Sequence, residues 1–343
     1  MKVIIGVDPH KASHTAVAIN VDEAELGTVK VRATRQQVPE LLVWAEPFAK
    51  RTWAIESAGG LGYLLAQQLV AAGEDVVDVP ATLASRVRVL GSGRSDKNDP
   101  NDARSVAVAA LRAPALRPVE AADHSEVLRL LAKRNLEIGN HRTRQVCRLH
   151  AALAELAPGG IAKELNASDG VALLAQVRPE TAVERARHEL AHELLDDVHR
   201  LDTQLKESHR RIREAVRASG TTLTDLFGVG PIIACMLIGF TGDVHRFRNR
   251  DQFAAYNGTA PVELSSGGRV VHRLSRRGNR RLNHAIHLAA LCQIRQPHSE
   301  GRAYFDRKVA EGKTKREALR ALKRRVSNAI HRQLLIDAQR ARR

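Results

Sequence analysis

The chain has 343 residues, with 54 Lys+Arg against 38 Asp+Glu, a formal net charge of +16 and a pI near 10.4. That length admits two or three domains, and an aromatic content of only 3% argues against base stacking as the main mode of any nucleic-acid binding. No basic start leads into an apolar run and no apolar stretch reaches 18 residues, so the expectation is a cytoplasmic chain without a membrane partner. The charge is unevenly placed. Residues 1–110 hold 12 basic and 13 acidic residues, leaving +17 on the remainder. A near-neutral region followed by a basic one points to a polyanion, most commonly nucleic acid, with a solvated Arg-rich surface as the plainer alternative. Cys147, Cys235 and Cys292 have no metal-clip spacing and are expected to be reduced, buried thiols.

In chain order, Lys2–Val7 is a Val/Ile-rich strand, and His14–Asn20 and Thr28–Ala33 follow at hairpin spacing across the polar Asp22–Gly27 turn. Trp53–Ile55 and Asp75–Val79 read as further strands, with helical periodicity over Leu61–Ala72 between them. Three strands followed by alternating helices and strands predict a mixed sheet covered by helices, an α/β unit spanning 1–117 and closed by Pro114 and Pro118. A helix is expected over 123–155. A second over Ala182–Ala218 carries a stripe of Leu190, Leu194, Val198, Leu201, Leu205 and Ile212. The stripe suits a coiled coil or a helical hairpin, read here as a protruding pair that joins copies of the chain, with an ordinary long core helix as the alternative. Residues 118–220 are accordingly expected to be a helical oligomerisation region, and 221–343 a mainly helical, basic domain. The last segment, 301–343, holds 14 basic and 4 acidic residues.

Four carboxylates stand out. Asp8 ends the first strand, in Val-Ile-Ile-Gly-Val-Asp-Pro-His-Lys, and Glu56 ends a later one, in Trp-Ala-Ile-Glu-Ser. Open sheets place their sites at such strand ends. Asp99 and Asp102 stand three apart at a helix start and share a face. Asp99 before Pro100 also reads as a plain N-cap, and Asp102 as a charge favouring the positive helix end. Taken together, the four match the layout of RNase H-like (RuvC-like) nucleases, in which acids gather around Mg²⁺ or Mn²⁺. Hard cations need oxygen ligands, and gathered carboxylates need a cation.

In the C-terminal half, Gly228-Val229-Gly230-Pro231 before an apolar helix resembles a helix-hairpin-helix, whose helix-start N–H groups suit a DNA phosphate; a plain packing corner is the alternative. Arg276, Arg277, Arg280 and Arg281 flank Gly278 at another helix start and suit phosphate neutralisation. His272, His284, His287 and His298 have no zinc spacing. Ser265–Gly268 is Gly-rich and turn-like, and no base stands beside its serines in sequence.

The strings Val-Ile-Ile-Gly-Val-Asp-Pro-His-Lys, Ile-Glu-Ser and Arg-Ser-Asp-Lys-Asn-Asp-Pro-Asn-Asp-Ala resemble the DEDD domain of insertion-sequence-110-type transposases, relatives of the Piv invertases. Leu-Phe-Gly-Val-Gly-Pro, Phe-Ala-Ala-Tyr-Asn-Gly-Thr-Ala-Pro and Leu-Ser-Arg-Arg-Gly-Asn-Arg-Arg-Leu are similar to the C-terminal part of the same family. The resemblance implies a metal site at Asp8, Glu56, Asp99 and Asp102, and a nucleophilic serine at Ser266, with Ser265 beside it. It also implies cutting and rejoining of element-end and target DNA, guidance by a structured non-coding RNA, and a working dimer or tetramer acting at the nucleoid. The competing readings are a Holliday-junction-type, metal-dependent nuclease using water, and a non-enzymatic nucleic-acid-binding protein; the intact set of four acids argues against the second.

Overall fold

The computed structural model describes residues 2–92, 98–113, 115–157, 167–266, 269–274 and 278–342, without the side chains of 90–92, 167, 263–266 and 269–274. The chain forms two compact units, 1–122 and 123–343.

Unit 1 runs β1 (Val3–Pro9), β2 (Ser13–Ile19), β3 (Glu25–Arg32), α1 (Gln37–Ala45), β4 (Arg51–Glu56), α2 (Tyr63–Ala71), β5 (Val76–Val79), α3 (Ala81–Ser92), α4 (Asp99–Arg112) and β6 (Arg117–Pro118). Three strands followed by alternating helices and strands is the predicted order. The sheet reads β3-β2-β1-β4-β5-β6, antiparallel within β1–β2–β3 and parallel across β1–β4–β5. The mixed sheet covered by helices that the sequence predicts is therefore present.

Alternation along the strands sorts the core into two layers. Val3, Ile5, Val7, Trp53 and Ile55 face one side, against Leu41 of α1 and Leu65 and Leu69 of α2. Ile4, Val17, Ile19 and Ala54 face the other, against Ala103, Val106 and Ala107 of α4. β1 is buried along its length, as a central strand with helices on both faces should be.

Unit 2 is mainly helical: α5 (His124–Ala154), α6 (Ala167–Gln176), α7 (Ala182–Ala218), α8 (Pro231–Thr241), α9 (Arg250–Tyr256), the hairpin β7 (Pro261–Ser266) and β8 (Arg269–Leu274), then α10 (Arg280–Arg295), α11 (Glu300–Ala310) and α12 (Lys315–Ala341). α7 occupies the predicted 182–218 span. Its stripe packs on α5 of the same chain. Ile212 and Val216 join Leu128 and Ala132 at one end, and Leu194, Leu195 and Val198 join Leu149 and Leu153 at the other. Between them, Ser208 Oγ donates to Asn135 Oδ1 at 3.1 Å, Arg142 pairs with Asp202, and Gln145 Nε2 donates to Asp197 Oδ2 at 2.7 Å. Partner numbers fall along α7 as they rise along α5, so the two helices are antiparallel. Much of the stripe that suggested a second copy thus has an intramolecular partner.

Leu128, Ala132, Ile212 and Val216 also belong to the large core built with α8, α10 and α12. The expectation of three buried thiols is corrected: Cys235 is buried, its thiol pushed up to about 12 by desolvation, but Cys147 and Cys292 are exposed.

A candidate active site of grouped carboxylates

Strand parity explains how two distant acids meet. Asp8 and Glu56 are even-numbered, like Ile4 and Ala54, and so belong to the α4 side of the sheet. Val7 pairs with Ile55, the residue before each acid. Asp8 pairs with Thr15, and Thr15 with Lys30. Glu56, Asp8, Thr15 and Lys30 therefore form a row across four neighbouring strands. Just past Glu56, Ser57 takes a left-handed backbone (φ 52°), and Ala58 N–H donates to Asp78 Oδ1 at 2.8 Å. A serine leaves the common backbone regions only when its surroundings hold it there; here the turn ends β4 directly after the acid.

The other two acids arrive on α4. The cap of this helix is Asn98, whose Oδ1 accepts from Asn101 N–H at 2.8 Å. The N-cap reading of Asp99 is thereby replaced, and its carboxylate is free of capping duty. α4 lies directly on β1: a Cβ on Gly6 would fall 2.1 Å from the Ala103 carbonyl oxygen and 2.8 Å from the Ala107 side chain. Glycine at 6 and alanines at 103 and 107 bring helix and strand close enough for both pairs of acids to share one region.

The electrostatics show the grouping. Asp8 is 8% exposed. Glu56 is held above its ordinary carboxylate range, first by desolvation and then by the negative charges of Asp8 and Asp102. Arg88 of α3 pairs with Asp102 at 2.5 Å and is held protonated by that bond and by the charges of Asp102, Glu56 and Asp8. Lys30 Nζ donates to Asp99 Oδ2 at 2.7 Å and holds that carboxyl below its usual range. His10 lies between two acids, with Nδ1 3.6 Å from Asp8 and Nε2 4.0 Å from Asp99. Ligand atoms of Asp8, His10 and Asp99 lie within 4.8 Å of one another.

The residues fit a divalent cation on two observations. Burial and the charges of Asp8 and Asp102 outweigh Arg88 and disfavour ionised Glu56, a cost that a bound cation would offset. Thr15 Oγ1, buried in the row beside Asp8, has no hydrogen-bond partner among the described residues.

His10, Thr15, Lys30 and Arg88 escaped the sequence reading. Alternation could have found three of them: His10 follows Asp8 at the two-residue strand period, and Thr15 and Lys30 occupy neighbouring strands. Nothing local marks Arg88, which arrives on a separate helix.

The remaining predicted residues lie in unit 2. Ser265 and Ser266 end β7, paired with Val270 and Arg269 across the hairpin; their side chains, like the whole of Arg276 and Arg277, lie outside the described residues. Gly228 is left-handed (φ 86°), and Gly230 caps α8 without a side-chain bond, ahead of Pro231. A short 3₁₀ turn, Leu223–Asp225, precedes this Gly-Val-Gly-Pro segment. Asn279 caps α10, with exposed Arg280 heading it and Arg281 lying over the Phe240 ring at 5.2 Å.

Comparison with known proteins supplies relatives for both units. Residues 5–158 match the DEDD IS110 family, described as Transposase, and residues 220–306 match the Transposase IS116/IS110/IS902 family. The chain is 28% identical to the 44.8 kDa protein of insertion element IS116 from Streptomyces clavuligerus, over 94% of this chain and 92% of that one. It is 30% identical to the Pseudomonas aeruginosa protein named "Probable family 20 transposase", over 80% of this chain and 75% of that one. The structure of T. thermophilus RuvC in complex with a Holliday junction aligns over 35% of this chain and all of that one, at 17% identity and a TM-score of 0.28.

Proposed function

The chain belongs to the IS110-type transposase family, an enzyme family acting on DNA, and on that premise we propose that it cuts and rejoins DNA with two sets of groups, a carboxylate metal site in unit 1 and Ser266 in unit 2. The observation that carries the first half is the convergence of Asp8, Glu56, Asp99 and Asp102 from two strands and a helix onto one region balanced by Arg88 and Lys30. Asp8, Glu56, Asp99 and Asp102 would hold Mg²⁺ or Mn²⁺. The bound ion supplies Lewis-acid polarisation of a phosphoryl oxygen.

Ser266 is assigned the nucleophile by family resemblance. Its hydroxyl oxygen forms a bond to a DNA phosphorus, the phosphorus–oxygen bond to one flanking sugar breaks, and that sugar oxygen leaves as a hydroxyl with the net proton. Attack by a DNA hydroxyl on the serine ester reverses the exchange, so the phosphodiester is conserved and strands are rejoined. Water in place of the serine would give hydrolysis only, the nuclease reading. Backbone N–H groups at the α8 start, where Gly228 and Gly230 let a strand approach closely, would hold a DNA phosphate, and Arg276, Arg277, Arg280 and Arg281 around α10 would neutralise others. A structured RNA of the same element would direct the choice of target, and a dimer or tetramer would bring the DNA ends together. No described helix is long and apolar enough to cross a membrane.

Trapping on labelled element-end DNA, followed by denaturing gels, tests the scheme. Wild type should give a denaturant-stable adduct, Ser265→Ala should keep it and Ser266→Ala should lose it while still binding DNA. An adduct from Ser266→Ala would move the role to another residue; no adduct from wild type, with cleavage intact, would favour hydrolysis by water.

A further inference from the structure

Unit 2 contains a cavity that neither the acids nor the serine hairpin uses. Its volume is about 570 Å³, within the roughly 300–1,000 Å³ of small-ligand sites. Leu226, Val229 and Val326 give it an apolar lining, and Phe227 joins them with 54% of its surface exposed. Leaving an aromatic face in water forgoes the stabilisation of burial, and this one is held out by a fixed backbone. Gln293 Nε2 donates to the Phe227 carbonyl at 2.8 Å. The next residue, Gly228, is left-handed and packed so closely that a Cβ would meet the Ala289 carbonyl oxygen at 2.7 Å. From α12, Arg325 and Arg332 reach the same cavity, both exposed.

We propose that this cavity takes one unpaired nucleotide of bound DNA, its base against Phe227 and its phosphates at Arg325 and Arg332. The inference rests on the reading of unit 2 as the DNA-binding unit. The lining combines apolar residues and an aromatic ring with two arginines, which matches a ligand that is planar at one end and anionic at the other. Asp225 and Glu300 also line it. They can accept from the amino groups of a base, and they disfavour a ligand that is anionic throughout, such as inorganic phosphate. The unit around the cavity carries the whole formal +16 of the chain, so it concentrates the polymer that would present such a nucleotide. A single stacking position is compatible with a chain so poor in aromatic residues.

The test uses the full-length chain and two DNA duplexes, one perfect and one with a single unpaired 2-aminopurine nucleotide. Wild type should prefer the second by about tenfold, inside the range expected of one base stacked on an aromatic ring, and should quench the fluorescence of the probe. Phe227→Ala should bind the perfect duplex as wild type does but lose the preference and the quenching. Phe227→Trp should keep both, and Arg332→Ala should reduce the preference. Equal wild-type affinity for the two duplexes, or a preference surviving in Phe227→Ala, would overturn the proposal. Competition by a free mononucleotide at the same concentration as the duplex would also overturn it, by making the free nucleotide the ligand. Failure to bind either duplex would remove the DNA-binding reading of unit 2, and this inference with it.

Discussion

Unit 1 and unit 2 handle charge in opposite ways. Residues 1–122 hold 14 basic and 14 acidic residues, and residues 123–343 hold 40 and 24. In the neutral unit a few charges are concentrated: four carboxylates, Arg88 and Lys30 gather on one side of the sheet, with His10 beside them. In the basic unit the charge is spread along exposed helix faces, with Lys313, Lys315 and Arg316 at the start of α12 as examples. Concentrated charge of both signs suits chemistry on one phosphodiester. Dispersed charge of one sign suits holding many phosphates. The contrast implies that catalysis and affinity can be damaged separately.

The largest separation should come from Asp102→Asn. It removes one carboxylate charge and the Arg88 pair, and should lower strand cleavage by more than about a hundredfold, beyond what loss of a group supporting a metal ligand costs. DNA affinity should stay within a factor of two or so of wild type, and circular dichroism should show an intact fold. A variant that cleaves normally, or wild-type cleavage that persists in EDTA, would remove the metal site from the scheme.

Next in size is the salt dependence of unit 2. Six neutralised phosphates would give a log–log slope of roughly −5 on duplex DNA, and each of Lys313→Gln, Lys315→Gln and Arg316→Gln that removes a phosphate contact should reduce that slope by roughly 0.9. Fluorescence anisotropy across a salt series measures it. A slope near zero would show that unit 2 holds DNA without neutralising its phosphates.

Gly6→Ala acts within unit 1 alone. The added methyl has no room between β1 and α4, so the cost should be about 1–3 kcal/mol, the usual range for overpacking. Divalent-cation affinity should fall with it as α4 shifts Asp99 and Asp102 away from Asp8, whereas DNA affinity should not move. Calorimetry and metal titration separate the two effects.

The smallest effect concerns Glu56. Its raised range means that the folded chain binds this proton more tightly than the unfolded chain does. The metal-free protein therefore loses stability as pH rises from the unfolded value near 4.5 through the higher folded value, and carries the full penalty above it. Glu56→Gln should raise the metal-free Tm slightly at neutral pH, with the difference fading on acidification. Divalent cation should stabilise wild type more than the variant. A lower Tm for Glu56→Gln at neutral pH would contradict this account.

The sequence made the scaffold more readable than the site. The strands of unit 1 and the span of α7 follow from apolar periodicity, which is local. Asp8 and Glu56 could be picked out because both end strands, but their meeting depends on parity and on the β1–β4 register. Asp99 shows the limit of local rules: a carboxylate before proline reads as a cap, yet Asn98 takes that role and leaves Asp99 to Lys30. Arg88 depends on how α3 packs, and the cavity beside Phe227 on four segments meeting. The stripe of α7 was visible, but sequence alone did not say that α5 would cover it.

The α5–α7 pair also has a mechanical consequence. One end is embedded in the main core of unit 2, where Gly239 of α8 sits so close to the Arg129 backbone that a Cβ would be 2.5 Å from it. The other end has its own small core around Leu149, Leu153 and Leu194. Helices of 31 and 37 residues are about 46 and 55 Å long. Over that length, a tilt of about 5° at the embedded end would carry the far end through roughly 4 Å, about the rise of three helical residues. Its polar rungs at 135/208, 142/202 and 145/197 resist sliding of one helix along the other, so displacement at one end is delivered to the other as rotation of the whole arm.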